Sequence, residues 1–372
     1  MTESASKETL KKLTIKGFKS IESLVDFEMR PLNVLIGANG AGKSNFVDFF
    51  RMLRAMALEG LQKFILERGG ADGFLYLGPK QTSEISGDLG FDGREFHLGL
   101  RAIPESKIMI VREGVETADA LDVRAGGLES GLKSISLEGS KIIKGVPEIW
   151  RPVYEAVVDW AVYHFHDTTN LAPMRRHQSA YDNKLLRGDA SNIAAFLLQL
   201  REKHKGSYDL IRDTVRLIAP FFDDFILEIE TFGPEEKVKL AWRQKGSDFP
   251  FQSYHLSDGT IRFICLATAL LQPDLPATMV IDEPELGLHP DAIGMLAGLI
   301  RSAATRTQII VTTQSPGLLA HFQPEDVVVV NREQGRSTFS RLDTDELQEW
   351  LEEYSVAELW QKNVFRAGPV NE

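Results

Sequence analysis

The stretch "GANGAGKS", residues 37–44, decides how this chain is read. It satisfies the pattern G-x-x-x-x-G-K-[ST] in full. An apolar run, "LNVLI", precedes it, and a helical pattern with apolar residues at Phe46, Phe49, Phe50, Leu53, Met56 and Ala57 follows. Holding a chain of phosphates requires backbone N–H groups that converge on one point, so glycines stand where a side chain would collide, and a helix N-terminus points at the anion. Gly37, Ala38, Asn39, Gly40, Ala41, Gly42 and Asn45 then form the cradle, Lys43 reaches the outer phosphates, and the Ser44 hydroxyl binds Mg²⁺.

A second segment, "TMVIDEPE" (278–285), is an apolar strand that ends in adjacent carboxylates. Asp282 is expected to hold Mg²⁺ from its second shell, and Glu283 to polarise an attacking water. Alone this would be an ordinary acidic strand end; with the glycine-rich loop upstream it reads as the other half of a site. Between them lies "LSDGT" (256–260), a polar turn that opens an apolar helix, in which Ser257 or Asp258 suits an N-cap.

The order of these three segments resembles the ABC/SMC/RecF class of ATPases, in which a motif near L-S-G-G-Q sits between the phosphate loop and the acidic strand. "EPELGLHP" (283–290), "VTTQSP" (311–316), "GFKSI" and "LNVLIGANGAGKSN" narrow the resemblance to stand-alone bacterial RecF/OLD-like ATPases. The resemblance implies an α/β fold: an ABC-type ATPase head with a parallel sheet, an N-terminal antiparallel β lobe and an inserted helical lobe. It implies ATP and Mg²⁺ as cofactors, and a homodimer, or higher oligomer, closed head to head by ATP. In that arrangement Ser257, Asp258 and Gly259 of one subunit meet the nucleotide of the other. Residues 286–289 correspond to the D-loop. Gln314 holds the switch position where many relatives carry His; it can donate to a phosphate oxygen but does not titrate near neutrality. Relatives of this kind are often encoded beside a separate nuclease or Toprim-like effector, and several act in phage defence. A RecF-like DNA-binding role in repair is the alternative.

The rest of the chain bounds these expectations. A net charge of −11 excludes a bulk electrostatic grip on nucleic acid, though not a local basic groove. The single cysteine, Cys265, excludes internal disulfides and cysteine-built zinc sites, falls in an apolar helical pattern, and suits a cytoplasmic protein. No apolar run has the length of a membrane span. The 213 residues from Lys43 to Leu256 carry no sustained heptads, so no coiled-coil arms are expected. The 58 residues after Gln314 leave no room for a nuclease domain.

The expected segments are 1–145 (phosphate loop and β lobe), 146–245 (helical lobe and β-hairpin), 246–342 (C-terminal ATPase lobe) and 343–372 (terminal helices). Within them we expect one helix from Asn45 to about Arg68, strands throughout 72–145, and helices at 190–204, capped by Asp189, and at 207–219. A hairpin should join 224–231 to 236–243. The Q-loop should fall in "HFHDTTNLAPMRR" (164–176), where no glutamine stands and His166 and Asp167 offer substitutes near Mg²⁺. His164 and His166 share a strand face but lack further evident ligands. Arg175, Arg176, His177, Lys184, Arg187, Arg201, Lys203 and Lys205 would suit a DNA or partner surface; a solvated helix face is the commoner origin of such charges.

Overall fold

The computed structural model describes residues 7–58, 60–136, 148–342 and 347–365. The chain begins with a hairpin, β1 (Lys12–Phe18) and β2 (Ile21–Glu28), and then leaves that sheet. It enters β3 (Leu32–Ile36), buried at every position, and passes through the glycine-rich loop into α1 (Lys43–Leu58). The helix expected to run to Arg68 is two. Gly60, at φ 111°, breaks it, and α2 (Leu61–Glu67) restarts with its first N–H groups donating to the Glu129 carboxylate. Left-handed backbone is open to glycine at little cost, so the break falls there.

Strands β4 (Ile85–Phe91), β5 (Arg94–Ile103), β6 (Lys107–Thr117) and β7 (Leu121–Arg124) join the first hairpin in one antiparallel sheet, ordered β2-β1-β4-β5-β6-β7. The run from Leu132, expected as strand, is α3 (Gly131–Ser136) as far as it is described; residues 137–147 lie outside the described residues. After α4 (Arg151–Val158) comes β8 (Trp160–Tyr163), then a two-residue strand β9 (Gln178–Ser179).

Helices α5 (Ile193–Lys203) and α6 (Lys205–Ile218) follow. Asp189 does not cap α5: its carboxylate accepts from Ser191 N, two residues on. The free N–H groups of Ala194 and Ala195 go instead to the buried Gln178 side chain, a cap supplied from β9. The expected hairpin exists but is split between sheets. Its outer strands β10 (Phe222–Ile226) and β13 (Ala241–Gln244) pair with each other and with β14 (Pro250–Gln252). Its inner strands β11 (Ile229–Phe232) and β12 (Glu235–Val238) join β9.

The last third alternates helix and strand: α7 (Asp258–Leu271), β15 (Thr278–Asp282), α8 (Pro290–Ala304), β16 (Gln308–Thr313), α9 (Pro316–Leu319), then β17 (Val327–Glu333) and β18 (Arg336–Arg341). Two short helices, α10 (Gln348–Leu351) and α11 (Val356–Gln361), end the described chain. Strands β17, β3, β16, β15 and β8 run parallel, in that spatial order, with β18 antiparallel at one edge.

Both faces of this sheet are covered, as parallel sheets require. Alternation along the strands assigns Leu35, Val280, Ile310 and Val328 to a core shared with α1 and the antiparallel sheet. Val34, Met279, Ile281, Ile309 and Val311 face a second core with α5, α6, α7 and α8. Residues of the segment 146–245 therefore contribute an edge strand, β8, and two helices to the same layers as the C-terminal third. Among the described residues no helix is long and apolar enough to cross a membrane.

Candidate functional site

Parallel strands align their C-terminal ends, and in open α/β sheets ligands bind at those ends. Three neighbouring strands, β3, β16 and β15, here deliver the glycine-rich loop, Gln314 and the Asp282–Glu283 pair to one edge.

The loop is tightly seated. A Cβ on Gly37 would lie 2.1 Å from Val330 O, and one on Gly42 would lie 2.0 Å from Ser337 Oγ, so neither position admits a side chain. Gly40, at φ 79°, sits at the open crest, where Arg332 Nη1 donates to its carbonyl at 3.1 Å. Lys43 is 4 % exposed, its Nζ 2.7 Å from Gly37 O and 3.1 Å from Ala38 O. Burial pushes its ammonium below the usual value, against the opposing pull of Glu283, Asp282 and Glu285. Ser44 is exposed beside it. Asn45 turns away from the loop mouth: its amide donates to Ser20 Oγ at 2.6 Å, and Ser20 in turn meets Ser337 Oγ at 2.6 Å. Ser337 donates to Ala41 O at 2.5 Å, completing a brace between the two sheets and the loop.

At the end of β15, Asp282 Oδ1 accepts from Thr312 Oγ1 at 2.5 Å, while Oδ2 lies 3.3 Å from His164 Nδ1 and 3.6 Å from Arg51 Nη2. Burial alone would raise its carboxyl. The hydrogen bonds from His164 and Thr312 and the Arg51 charge outweigh that and bring it to about 2, so the group is ionised. Glu283 follows at φ 43°, a strained value for a side-chain-bearing residue, held by its N–H on Thr312 O at 3.0 Å. Its Oε1 accepts from the Gln314 amide. Gln314 is fixed from behind: its backbone N–H donates to Glu285 Oε1 at 3.2 Å, an oxygen that also takes Thr313 Oγ1 at 2.5 Å. Glu285 is buried, its Oε2 has no hydrogen-bond partner among the described residues, and burial pushes its carboxyl up.

The histidines are brought to the same place. The His164 and His166 rings lie with centres 3.8 Å apart and planes tilted by 43°, and His166 Nε2 contacts Asp282 O at 2.9 Å. Burial lowers the His166 pKa. Asp167 is not near this centre's hydrogen bonds; it closes a turn on Thr169 N and Oγ1. The segment 164–176 thus meets the acidic strand through His164 and His166.

The turn 256–260 is an N-cap as well as an exposed feature. Ser257 Oγ accepts from Thr260 N at 3.1 Å and opens α7. Arg175, from the expected basic cluster, is buried beneath it and holds the turn by its guanidinium; Arg262, one turn into α7, donates to Phe165 O at 2.9 Å, His166 O at 3.1 Å and Leu286 O. A Cβ on Gly259 would lie 2.3 Å from Gly287 O, so the turn packs directly on residues 286–288 of its own chain. His289 caps α8, accepting from Asp291 N at 3.3 Å. Of the remaining basic cluster, Arg187 pairs with Asp182, His177 with Glu230, and Lys205 with Asp209. Arg201 Nη2 donates instead to Leu227 O at 3.1 Å.

These features fit a nucleoside triphosphate with a divalent cation: a glycine cradle closed to side chains, a buried lysine, an exposed serine hydroxyl and an ionised aspartate braced by threonine. Residues 32–108 and 149–320 match the family described as "AAA domain, putative AbiEii toxin, Type IV TA system". The chain belongs to this family. It is 27 % identical over 180 residues to the DNA replication and repair protein RecF of Erwinia tasmaniensis, covering 46 % of this chain and 45 % of that protein. RecF of Enterobacter sp. (strain 638) matches at the same identity over 179 residues. The chain thus spans a little under half the length of these curated relatives. Among solved structures, the Smc head bound to the C-terminal winged-helix domain of ScpA superposes with a TM-score of 0.60 at 16 % identity, over 92 % of this chain and 99 % of that one. The Pyrococcus furiosus Smc head with an extended coiled coil gives 0.59 at 16 %, over 93 % and 99 %. The fold is that of the ABC-type ATPase head.

Proposed function

We propose that the protein binds and hydrolyses ATP, and that two copies close head to head around two nucleotides. The observation that carries this reading is the joining of Lys43, Asp282, Glu283 and Gln314 at one edge of the parallel sheet, with Glu283 held against Gln314. Lys43 and the loop N–H groups bind the phosphates. Ser44 and Asp282 are suited to hold Mg²⁺, which when bound neutralises charge on the outer phosphates. Glu283 orients and deprotonates the attacking water, and Gln314 fixes its carboxylate and offers a donor to the terminal phosphate. The exposed Ser257 and the Gly259 turn are presented for a second copy, so that γ-phosphate contacts couple nucleotide state to assembly.

The segment boundaries at 145, 245 and 342 follow the same reading. As a further part of this proposal, the ATP-driven assembly controls a separately encoded effector. The RecF match favours a second reading, ATP-dependent binding to DNA in repair. Measuring ATP hydrolysis and mass with and without ATP, for wild type and Glu283→Gln, tests the shared core. A Glu283→Gln chain that neither slows hydrolysis nor accumulates as a nucleotide-bound dimer refutes it. ATP-dependent DNA binding by the isolated protein selects the second reading; a stable complex with a neighbouring gene product selects the first.

A further inference from the structure

A cleft stands apart from the glycine-rich loop, between the C-terminal half of α1, the end of α2 and the loop 182–189, with a volume near 660 Å³. That is within the usual range for small-molecule sites, roughly 300 to 1,000 Å³. Its walls carry Arg51, Arg54, Arg68, Lys184 and Arg187 against Glu67, Asp182 and Asp189, a cationic excess in a chain of net charge −11. Arg187 is neutralised by Asp182 at 2.5 Å. The excess therefore resides toward Arg68, whose guanidinium lies 3.8 Å from the Phe64 ring centre, and the exposed Lys184. Between these charges stand a few apolar side chains, Leu58, Phe64 and Val162, with Leu185, 69 % exposed, at the rim. Cations beside these few apolar side chains suit a phosphate ester that carries a planar ring.

Two contacts run from this cleft to Asp282. Arg51 lines it and also reaches Asp282 Oδ2 at 3.6 Å. From the opposite wall, Gly188 O accepts from His164 N at 2.8 Å, and the His164 ring meets the same Asp282 oxygen. An anion bound in the cleft competes for Arg51 with Asp282 and with Asp48, whose Oδ1 lies 2.8 Å from Arg51 Nη1, and a shift of the loop 182–189 acts on His164. We propose that the cleft is a second ligand site, for a phosphorylated ring compound of nucleotide size, and that its occupancy regulates the hydrolytic site through Arg51 and His164. The regulatory half rests on the hydrolytic reading of Asp282 and Glu283; the binding half does not. Coupling of this kind requires only that the ligand prefer one of two arrangements of those residues.

The test uses the full chain carrying Lys43→Ala, which removes the triphosphate site, titrated calorimetrically with each common ribonucleoside 5′-monophosphate and, separately, with a short oligothymidylate. A single saturable site per chain is expected, weakened about tenfold or more when Arg68→Glu and Lys184→Glu are added, with the melting temperature unchanged. Binding of a monophosphate identifies a free nucleotide; binding of the oligomer alone identifies a nucleic-acid strand as the source of the same chemistry. In the chain with Lys43 intact, the bound compound should change ATP turnover by about threefold or more. The Arg68→Glu/Lys184→Glu chain should match the basal rate and lose that response. No saturable binding in any arm, or binding indifferent to the double substitution, overturns the site. Binding that leaves turnover unchanged overturns the coupling to Asp282. A wild-type chain without ATP turnover refutes the hydrolytic reading, and the Lys43→Ala titration still decides the site.

Discussion

Arg175 and Asp258 form an ion pair across 83 residues of sequence, Nη2 to Oδ1 at 3.0 Å, and the arginine is 3 % exposed while the aspartate is 68 % exposed. The pair explains how a carboxylate can occupy a turn that the proposed function sets beside a phosphate: its charge is countered from beneath. The same guanidinium donates to Thr168 O, Ser253 O and Leu256 O, so it fixes the backbone ahead of Ser257 as well as the Asp258 side chain after it. The two partners therefore carry unequal weight. Asp258→Gly removes one exposed partner and should cost at most about 1 kcal/mol. Arg175→Ala abandons several backbone carbonyls and should cost about 2 to 4 kcal/mol in urea unfolding. Arg175→Lys should not restore the loss, because an ammonium cannot reproduce the planar fork. In a Glu283→Gln background, ATP-dependent dimer should survive Asp258→Gly and fail in Arg175→Ala; the reverse order would refute the clamp.

The two glutamates of "DEPE" should respond oppositely to the same chemical change. Glu283→Gln should reduce hydrolysis by about 10² to 10³ while retaining nucleotide, since only a carboxylate can accept the water's proton. Glu285→Gln keeps an oxygen for Thr313 and Gln314 and should stay within about threefold of wild type, whereas Glu285→Ala should lose turnover with Gln314 unanchored. Phosphate release under saturating ATP separates the three. Equal losses in both glutamine variants would refute the division of labour.

Glu285 also predicts a pH dependence of stability. Burial raises its folded-state pKa above the ordinary 4.5. Its stabilising contribution is complete below that value and is lost as pH rises through the folded pKa. Glu285→Gln, which cannot ionise, should therefore gain on wild type in melting temperature between about pH 4 and pH 7. A gap that shrinks over that interval gives the wrong sign and would refute the buried-carboxyl account.

What was legible in the sequence was what is contiguous along it. The residues 37–44, the acidic strand end and the 256–260 turn each carry their meaning within eight residues, and their order gave the fold class. The contacts that tune them come from elsewhere in space. Arg175 read as one charge in a basic run because nothing local shows that it is buried under Leu256. Thr312 and Glu285 act through hydrogen bonds that exist only once β15 and β16 lie side by side. The missed break after α1 and the missed cap on α5 share a cause: Glu129 and Gln178 satisfy those helix ends from distant segments. Helix-end chemistry supplied over tens of residues leaves no local pattern.

Cys265 was readable as structural, and the structure strengthens that to a measurable inertness. It is fully buried in α7, its Sγ 4.0 Å from Met174 Sδ, and burial pushes its thiol up to about 12. The thiolate is the reactive form, so labelling by a thiol reagent at pH 8 should be at least about a thousandfold slower in the native protein than in denaturant. Rapid native labelling would mean that α7 opens far more readily than its packing implies.

Gly259 offers the sharpest separation between binding and turnover. It is not a position of unusual backbone; its constraint is the 2.3 Å that would separate an added Cβ from Gly287 O. Gly259→Ala must therefore push residues 286–288 away from α7, breaking the Arg262 contact to Leu286 O and loosening the segment attached to Glu285. The phosphate loop is held separately, by Ser20, Ser337 and Val330, and does not share these contacts. The variant should bind nucleotide within about threefold of wild type and lose about tenfold or more in turnover. Gly40→Ala is the control: its Cβ meets no atom, but φ 79° imposes a strain of about 1 kcal/mol at the phosphate loop itself. It should weaken binding more than Gly259→Ala does. If both variants lose affinity and turnover in the same proportion, the 256–260 turn and residues 286–288 do not act as a unit distinct from the glycine-rich loop.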